Sequence, residues 1–167
     1  MNMTIEQISA GSPIFIDANI FIYHFTLQSA SCARLLRRCQ DSEIKGFTSV
    51  VCVAEMLHRL MIAEAIQKGY VTTGGAVKKL KENPEIVKKL DRYQQAPGRL
   101  LEMKITILPA TSEMMLRSKT IRQRYGLLTN DSLIVTTMKM NRFKTLASND
   151  RDFANIPGIQ LFKPSDL

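Results

Sequence analysis

The chain has 167 residues, of which 45% are hydrophobic and 23% are charged, and this composition is typical of a water-soluble globular domain. It excludes disordered, fibrous and membrane-spanning proteins, and the length favours a single domain over residues 1–167. The 23 Lys and Arg residues outnumber the 15 Asp and Glu residues, and the net charge of +8 favours a polyanionic partner, either nucleic acid or an acidic protein.

In the amino-terminal half, short apolar runs alternate with segments of helical periodicity. The first twelve residues lack the basic and apolar regions of a secretory signal peptide, so we expect a cytoplasmic protein with no membrane partner. Buried strands are predicted at residues 13–17 and 45–48. Helices are predicted at residues 19–25, 31–40 and 50–68, with Ser49 as the N-cap of the long one.

Residues 66–98 form an elongated basic helical section. One helix follows Gly74-Gly75, a second begins at Pro84, and Pro97-Gly98 is predicted to end the section. Between residues 78 and 104 there are eight Lys and Arg residues and four Asp and Glu residues. Such a section favours attraction of a polyanion, although a solvated helix face with internal ion pairs would have the same composition.

The carboxy-terminal part continues the alternation. Strands are predicted at residues 104–108, 145–147 and 159–162, and helices at 112–125 and 131–140, the second capped by Thr129 or Asn130. Strands separated by helices are typical of an α/β fold with a parallel sheet, here of about four to five strands. Ligands bind beyond the carboxyl ends of the strands in such sheets.

Four carboxylates are expected near that edge of the sheet. Asp17 ends the first strand, Glu55 lies two turns into the long helix, Asp131 opens a helix and Asp150 follows the fourth strand. Asp131 and Asp150 also fit plain structural roles, at a helix first turn and in a turn. Asp17 and Glu55 fit such roles poorly, because both lie in largely apolar segments and a carboxylate there needs a partner or a metal ion.

A divalent cation is the natural compensation for crowded carboxylates. Mg²⁺ and Mn²⁺ take oxygen ligands, and such ions activate water for attack on a phosphodiester. The chain contains no G-x-G-x-x-G, G-K-[ST] or G-x-S-x-G motif, which argues against dinucleotide binding, a P-loop NTPase and a serine hydrolase. The three cysteines form no C-x-x-C motif, so buried free thiols are expected.

Four segments of the sequence resemble the PIN-domain ribonucleases, and more closely the VapC-type toxins of bacterial and archaeal toxin–antitoxin pairs. They follow the order of that family along the chain: residues 15–19 (FIDAN), 48–56 (TSVVCVAEM), 128–134 (LTNDSLI) and 146–153 (LASNDRDF). The resemblance implies a three-layer α/β/α fold with a short, mostly parallel sheet. It also implies cleavage of RNA by a water nucleophile with Mg²⁺ or Mn²⁺, a small antitoxin partner and a homodimer.

The same resemblance assigns roles to individual residues. It implies that Asp17, Glu55, Asp131 and Asp150 are the catalytic and metal-binding acids, with Asp152 as the alternative fourth acid. The polar residues that would orient acids or waters are Asn19, Ser49 and Ser148. The RNA-binding candidates come instead from the clustering of basic residues, in the section 66–98 and near the end of the helix at 112–125. They are Lys78, Lys79, Lys88, Lys89, Arg122 and Arg124. Two alternatives remain open: a PIN nuclease that processes RNA or DNA without an antitoxin, and a non-catalytic PIN-like domain that binds RNA or protein.

Overall fold

The computed structural model describes residues 3–167, and this part of the chain forms one six-stranded sheet. The strands are β1 (Met3–Thr4), β2 (Pro13–Ile16), β3 (Lys45–Ser49), β4 (Thr106–Leu108), β5 (Thr145–Ala147) and β6 (Gln160–Lys163). They lie in the order β1-β6-β5-β2-β3-β4, and every neighbouring pair is parallel. The prediction of a parallel α/β sheet is confirmed, but the expected strand number of four to five was too low.

The additional strand is β1, which contains only two residues. Met3 lies opposite Phe162 and Thr4 opposite Lys163, so β1 extends the sheet beyond β6. A two-residue strand is too short to carry an alternating or apolar pattern, and for that reason the sequence offered no sign of it.

Eight α-helices connect the strands within residues 3–167. They are α1 (Ala18–Phe25), α2 (Ala30–Gln40), α3 (Val50–Gln67), α4 (Ala76–Glu82), α5 (Pro84–Lys88), α6 (Ala96–Glu102), α7 (Ser112–Tyr125) and α8 (Thr129–Met140). None of the helices in this part of the chain has both the length and the apolar character required to cross a bilayer.

Two helix boundaries differ from the prediction. Pro97 and Gly98 lie inside the first turn of α6 instead of ending the basic section, because the first turn of a helix does not require the missing proline N–H. Helix α8 begins at Thr129 with Leu128 as its N-cap, and no side chain caps it, so the predicted cap at Thr129 or Asn130 was wrong. The predicted cap of α3 is confirmed, since the Ser49 hydroxyl accepts a hydrogen bond from the Cys52 N–H.

Helices pack against both faces of the sheet. Alternation along β2 directs Ile14 and Ile16 into one apolar cluster and Phe15 into another. The first cluster contains residues of α1, α2, α3 and α6, and the second contains residues of α8 together with Ala18 of α1 and Cys52 of α3. Three layers result, as the resemblance implied, and the helices hold the carboxyl edge of the sheet in place.

The predicted basic section has its own small core. Ala65 at the end of α3 packs with Val71, Ala76, Leu80 and Leu90 in a third apolar cluster. The buried Glu64 carboxylate ties this cluster to α3, because it accepts hydrogen bonds from the backbone N–H groups of Asp91 and Tyr93. The basic section is therefore packed against α3 through its apolar side chains.

Candidate active site

Two central strands bring their carboxyl ends together at one edge of the sheet. Ile16, the last residue of β2, lies opposite Ala147, the last residue of β5. The chain continues from these strands into Asp17 and Ser148, so the two polar side chains become neighbours although 131 residues separate them. The parallel pairing predicted from sequence is thus what builds the site.

Asp17 is held by three donors. It is the N-cap of α1, and its Oδ1 accepts a hydrogen bond of 2.6 Å from the Ala18 N–H. Its Oδ2 accepts from Asn19 Nδ2 at 2.7 Å and from the Ser148 hydroxyl at 2.7 Å. The side chain is only 6% exposed, so these contacts fix its direction towards the edge of the sheet.

Ser148 links Asp17 to the segment that follows β5. Its buried hydroxyl accepts from Asn19 Nδ2 at 2.9 Å and from the Asp150 N–H at 3.0 Å. Asn19 Oδ1 accepts from the Asn149 N–H at 3.2 Å, which closes a second connection between the same two segments. The predicted supporting residues Asn19 and Ser148 therefore contact the acid that they were expected to orient.

Three other carboxylates converge near this network. One oxygen from each of Asp131, Asp150 and Asp152 lies within 4.8 Å of the other two. Asp131 comes from the first turn of α8, and the other two flank Arg151 in a short 3-10 turn (Arg151–Phe153). Hard divalent cations bind such sets of carboxylate oxygens, so these residues fit Mg²⁺ or Mn²⁺ by their donor chemistry.

The proton affinity of two of these acids is raised. Burial raises the pKa of Asp17 to about 7, against the hydrogen bonds from Ser148 and Ala18, and the charges of Glu55 and Asp131 raise it further. Burial also raises the pKa of Asp131 to about 6, together with the charges of Asp150, Asp152 and Glu55. The protein therefore does not fully neutralise the negative charge at this edge of the sheet. A bound cation would reduce the repulsion between the carboxylates.

Two predicted site residues, Glu55 and Ser49, lie outside the hydrogen-bond network and the group of three carboxylates. Glu55 on α3 is partly exposed and contributes charge to Asp17 and Asp131, but it is outside the group of three carboxylates. The Ser49 hydroxyl accepts from the Cys52 N–H at 3.3 Å and donates to Cys52 Sγ at 3.4 Å. Ser49 therefore caps α3, and within residues 3–167 no hydrogen bond connects it to an acid of the site.

The basic candidates fall into two groups. Lys78 forms an ion pair with Glu82 at 3.9 Å and Lys88 with Glu85 at 2.6 Å, as expected for helix surfaces. Lys79 and Lys89 have no carboxylate within 4.0 Å in the described part of the chain. The two groups differ in the charge that remains available to a polyanion.

Two arginines on α7 have different environments. Arg122 is half-buried between α7 and α8, where its Nη1 donates to the hydroxyls of Ser118 at 2.7 Å and Ser132 at 3.1 Å. Arg124 is exposed and lies against the ring of Tyr125. Arg122 thus braces the helix that carries Asp131, while Arg124 faces solvent.

One supporting residue was missed in the sequence. Thr48 is fully buried at the end of β3, and its hydroxyl donates to the Ile16 carbonyl at 2.8 Å, one residue before Asp17. This bond fixes the spacing of β2 and β3 where the site begins. A buried threonine in an apolar strand was the available signal, but β-branched residues are common in strands and carry no functional meaning alone.

Comparisons with known proteins agree with this architecture. The family model of the PIN domain matches residues 14–159. A curated relative, the ribonuclease VapC2 of Methanocaldococcus jannaschii, is 29% identical over 150 residues, which are 90% of this chain and 93% of the relative.

Two solved structures share the fold at low sequence identity. A toxin-antitoxin complex from Klebsiella pneumoniae contains a chain that superimposes with a TM-score of 0.58 at 21% identity, covering 92% of this chain and 99% of that one. VapBC2 from Rickettsia felis, solved with a DNA fragment from its promoter, has a TM-score of 0.57 at 16% identity, covering 90% of this chain and 98% of that one. With the family match over residues 14–159, these likenesses show that the chain belongs to the PIN-domain family and resembles its VapC members.

Proposed function

We propose that this protein is a Mg²⁺- or Mn²⁺-dependent endoribonuclease and the toxin of a toxin–antitoxin pair. The observation that carries the proposal is the convergence of three carboxylates, Asp131, Asp150 and Asp152, beside the buried Asp17. The similarity to a ribonuclease named VapC2 supports RNA as the substrate. The net charge of +8 supports a polyanionic substrate as well.

Each acid has a distinct part in this proposal. Asp17, Glu55, Asp131 and Asp150 would form the acidic quartet that holds the cation, with Asp17 and Asp131 as the principal ligands and Asp152 as the alternative fourth acid. A bound divalent cation supplies Lewis-acid activation of the attacking water and shields the charge of the phosphate. Asn19 and Ser148 would keep the Asp17 carboxylate in one orientation, because both donate to its Oδ2.

The basic residues would attract the RNA to this acidic edge. Lys79 and Lys89 are the stronger candidates in the section 66–98, because no carboxylate of residues 3–167 lies within 4.0 Å of them. Lys78 and Lys88 would contribute less, since each has a glutamate partner. Arg124 is exposed, whereas Arg122 would act mainly by bracing α8.

The proposal extends to partners and organisation. A small antitoxin would bind this protein and restrain its activity, which the likeness to a chain of a toxin-antitoxin complex supports. Two copies of the chain would form a homodimer, as the resemblance to VapC-type toxins implies. Residues 1–167 would act as one domain that includes the section 66–98, because Glu64 on α3 bonds to Asp91 and Tyr93 of that section.

Cleavage of RNA by the purified protein tests the proposal. We expect Mg²⁺- or Mn²⁺-dependent cleavage that stops on addition of EDTA and in the Asp17→Asn variant. Persistent cleavage in EDTA would contradict the dependence on a divalent metal ion. Absence of cleavage at saturating RNA would favour a protein that binds RNA without cleaving it. Growth arrest on expression, relieved by co-expression of a neighbouring small gene, would support the toxin, and harmless expression would favour RNA processing.

A further inference from the structure

Helices α7 and α8 line a basic groove on the surface, at the end of α8 that lies away from Asp131. A cavity of about 350 Å³ is lined by Arg117, Thr120, Ile121, Thr136, Lys139 and Met140. This volume is within the range of about 300–1,000 Å³ that is usual for ligand pockets. Two cations, two threonines and two apolar side chains form the wall, and no carboxylate belongs to it.

A second observation lies at one end of this groove. The Lys139 ammonium is 5.3 Å from the centre of the Tyr125 ring, and the Arg124 guanidinium is 5.4 Å from the same centre. Both distances are short enough for cation–π attraction. Lys139 therefore belongs both to the groove and to a cluster of two cations around one aromatic ring.

The charge of this cluster is not neutralised by the protein. Among residues 3–167, neither Arg124 nor Lys139 has a carboxylate oxygen within 4.0 Å, whereas Arg117 pairs with Glu113 at 2.7 Å. Two like charges gathered at one ring repel each other unless an anion lies between them. A second surface cavity, lined by Arg34 and Arg38, shows the contrast, because Glu6 and Glu43 are part of its wall.

The groove is connected to the acidic edge by α8. Asp131 in the first turn of α8 and Lys139 in the last turn are eight residues apart, a rise of about 12 Å. A strand of stacked nucleotides covers that distance in about four residues at about 3.4 Å each. The same helix thus holds an acid of the site and a cation of the groove at a fixed spacing.

We propose that the α7–α8 groove binds a single-stranded segment of the RNA substrate, a few nucleotides away from the phosphate that is cleaved. A backbone phosphate lies between Arg124 and Lys139, and an unpaired base packs on Ile121 and Met140. This inference rests on the proposed ribonuclease function and names where the substrate is held. RNA is favoured over an acidic peptide, because the unpaired cations Arg124 and Lys139 lie at the Tyr125 ring next to the apolar side chains of the groove, a combination typical of single-strand binding sites.

The test is the double variant Arg124→Gln/Lys139→Gln, with Lys45→Gln/Arg99→Gln as the matched control. All four side chains are exposed, none of them forms an ion pair within residues 3–167, and both variants change the net charge equally. Arg99 on α6 belongs to the helix layer on the other face of the sheet from α8. Affinity for a 12-nucleotide RNA is measured against salt in the Asp17→Asn background, which keeps the RNA intact. We expect the slope of log K against log[salt] to decrease by about 1.4 for the groove variant and by much less for the control, with affinity about 10-fold weaker at 0.1 M salt.

Kinetics with Asp17 intact separate this inference from the proposed function. We expect the groove variant to raise KM for the 12-nucleotide RNA and to leave kcat unchanged. Equal salt slopes for the groove variant and the control, with cleavage intact, would contradict RNA binding in the groove but leave the proposed ribonuclease function standing. A wild-type chain that neither binds nor cleaves RNA would instead overturn the proposed function. Loss of poly-L-glutamate binding with unchanged RNA binding would also overturn the inference and assign the groove to an acidic protein.

Discussion

Two carboxylates of this protein have similar solvent exposure, but their pKa values shift in opposite directions. Asp17 at the acidic edge is 6% exposed and Glu64 in α3 is 5% exposed. Burial raises the pKa of both, yet for Asp17 the result is about 7, while hydrogen bonds from Lys68 and from the backbone lower the pKa of Glu64 to about 2. Asp17 lies deeper in the fold and has no cationic partner, whereas Glu64 is paired with Lys68, so depth and neighbours together make the difference.

The partners of the two carboxylates explain their roles. Glu64 accepts from Lys68 Nζ at 2.8 Å and from two backbone N–H groups, so its charge is compensated within the fold. Asp17 has only neutral donors and lies among other acids. A buried acid with a cationic partner stabilises the structure, whereas one surrounded by acids is available for chemistry. The predictions below test this comparison.

The largest expected effect is on activity in the Asp17→Asn variant. We expect RNA cleavage to decrease at least about 100-fold, because the acidic edge loses a charge that its cation needs. In EDTA, we expect the melting temperature of the wild type to fall relative to that of the variant as the pH rises from about 4 to 8. Ionisation of Asp17 is unfavourable in the folded state, since its pKa is raised to about 7. A pH-independent difference in melting temperature, with full activity, would assign Asp17 to structure.

The next effect is expected for Ser148→Ala. This change removes the hydroxyl that donates to Asp17 Oδ2 and accepts from the Asp150 N–H, so two acids lose a common support. We expect cleavage to decrease about 10- to 100-fold, as when supporting partners of a metal site are removed. The kcat for a short RNA measures the effect, and Thr26→Ala, which removes a hydroxyl bonded only to the Ile22 carbonyl, is the control. Equal activity of the two variants would contradict a supporting role for Ser148.

The opposite pattern is expected for Glu64→Gln. We expect the free energy of unfolding to decrease by about 1–3 kcal/mol, because an ion pair and a charged acceptor of two N–H groups are lost. RNA cleavage should change little below the unfolding transition. Urea unfolding at pH 7 measures the stability. A variant with wild-type stability would show that Glu64 does not hold the section 66–98 against α3.

The stability difference between the wild type and Glu64→Gln should depend on pH. The pKa of Glu64 is lowered from 4.5 to about 2 in the folded state, so its charge stabilises the fold above pH 4.5. This contribution is expected to decrease as the pH falls from 4.5 towards 2. Unfolding of both proteins in urea at several pH values measures it. A difference that stayed constant between pH 7 and pH 3 would contradict the lowered pKa.

The smallest effect is expected in the basic section. Lys79→Gln/Lys89→Gln removes two lysines without carboxylate partners in the described residues, and Lys78→Gln/Lys88→Gln removes two paired ones with the same change in net charge. We expect the first variant to weaken RNA binding by about 3-fold more than the second at 0.1 M salt, because paired charges are already neutralised. Fluorescence anisotropy with labelled RNA measures both. Equal losses would show that only the total charge of the section matters.

The fold could be predicted where the sequence carried periodicity. Strands β2 and β5 and helix α8 follow from apolar runs and helical spacing, and their parallel pairing follows from their alternation. Strand β1 could not be predicted, because it has only two residues and forms through its partner β6. The start of α8 was missed because no side chain caps it, so its boundary depends on tertiary packing.

The candidate site could be predicted only in part. The acids stood out because Asp17 and Glu55 interrupt apolar segments, which is visible in a sequence. The contact of Ser148 with both Asp17 and Asp150 depends on the register of β2 and β5, and a sequence does not contain that register. The cluster of Arg124, Tyr125 and Lys139 was missed for a similar reason, since residues from two helices meet there.

Binding of Mn²⁺ to the purified protein, followed by electron paramagnetic resonance, tests the central claim most directly. We expect the wild type and Glu64→Gln to bind Mn²⁺ with equal affinity, and Asp131→Asn to lose that binding. Comparison of Asp150→Asn with Asp152→Asn then identifies which of the two acids is the stronger ligand. Binding that is retained in Asp131→Asn, or lost in Glu64→Gln while the protein is folded, would contradict the assignment of the acidic edge as the metal site.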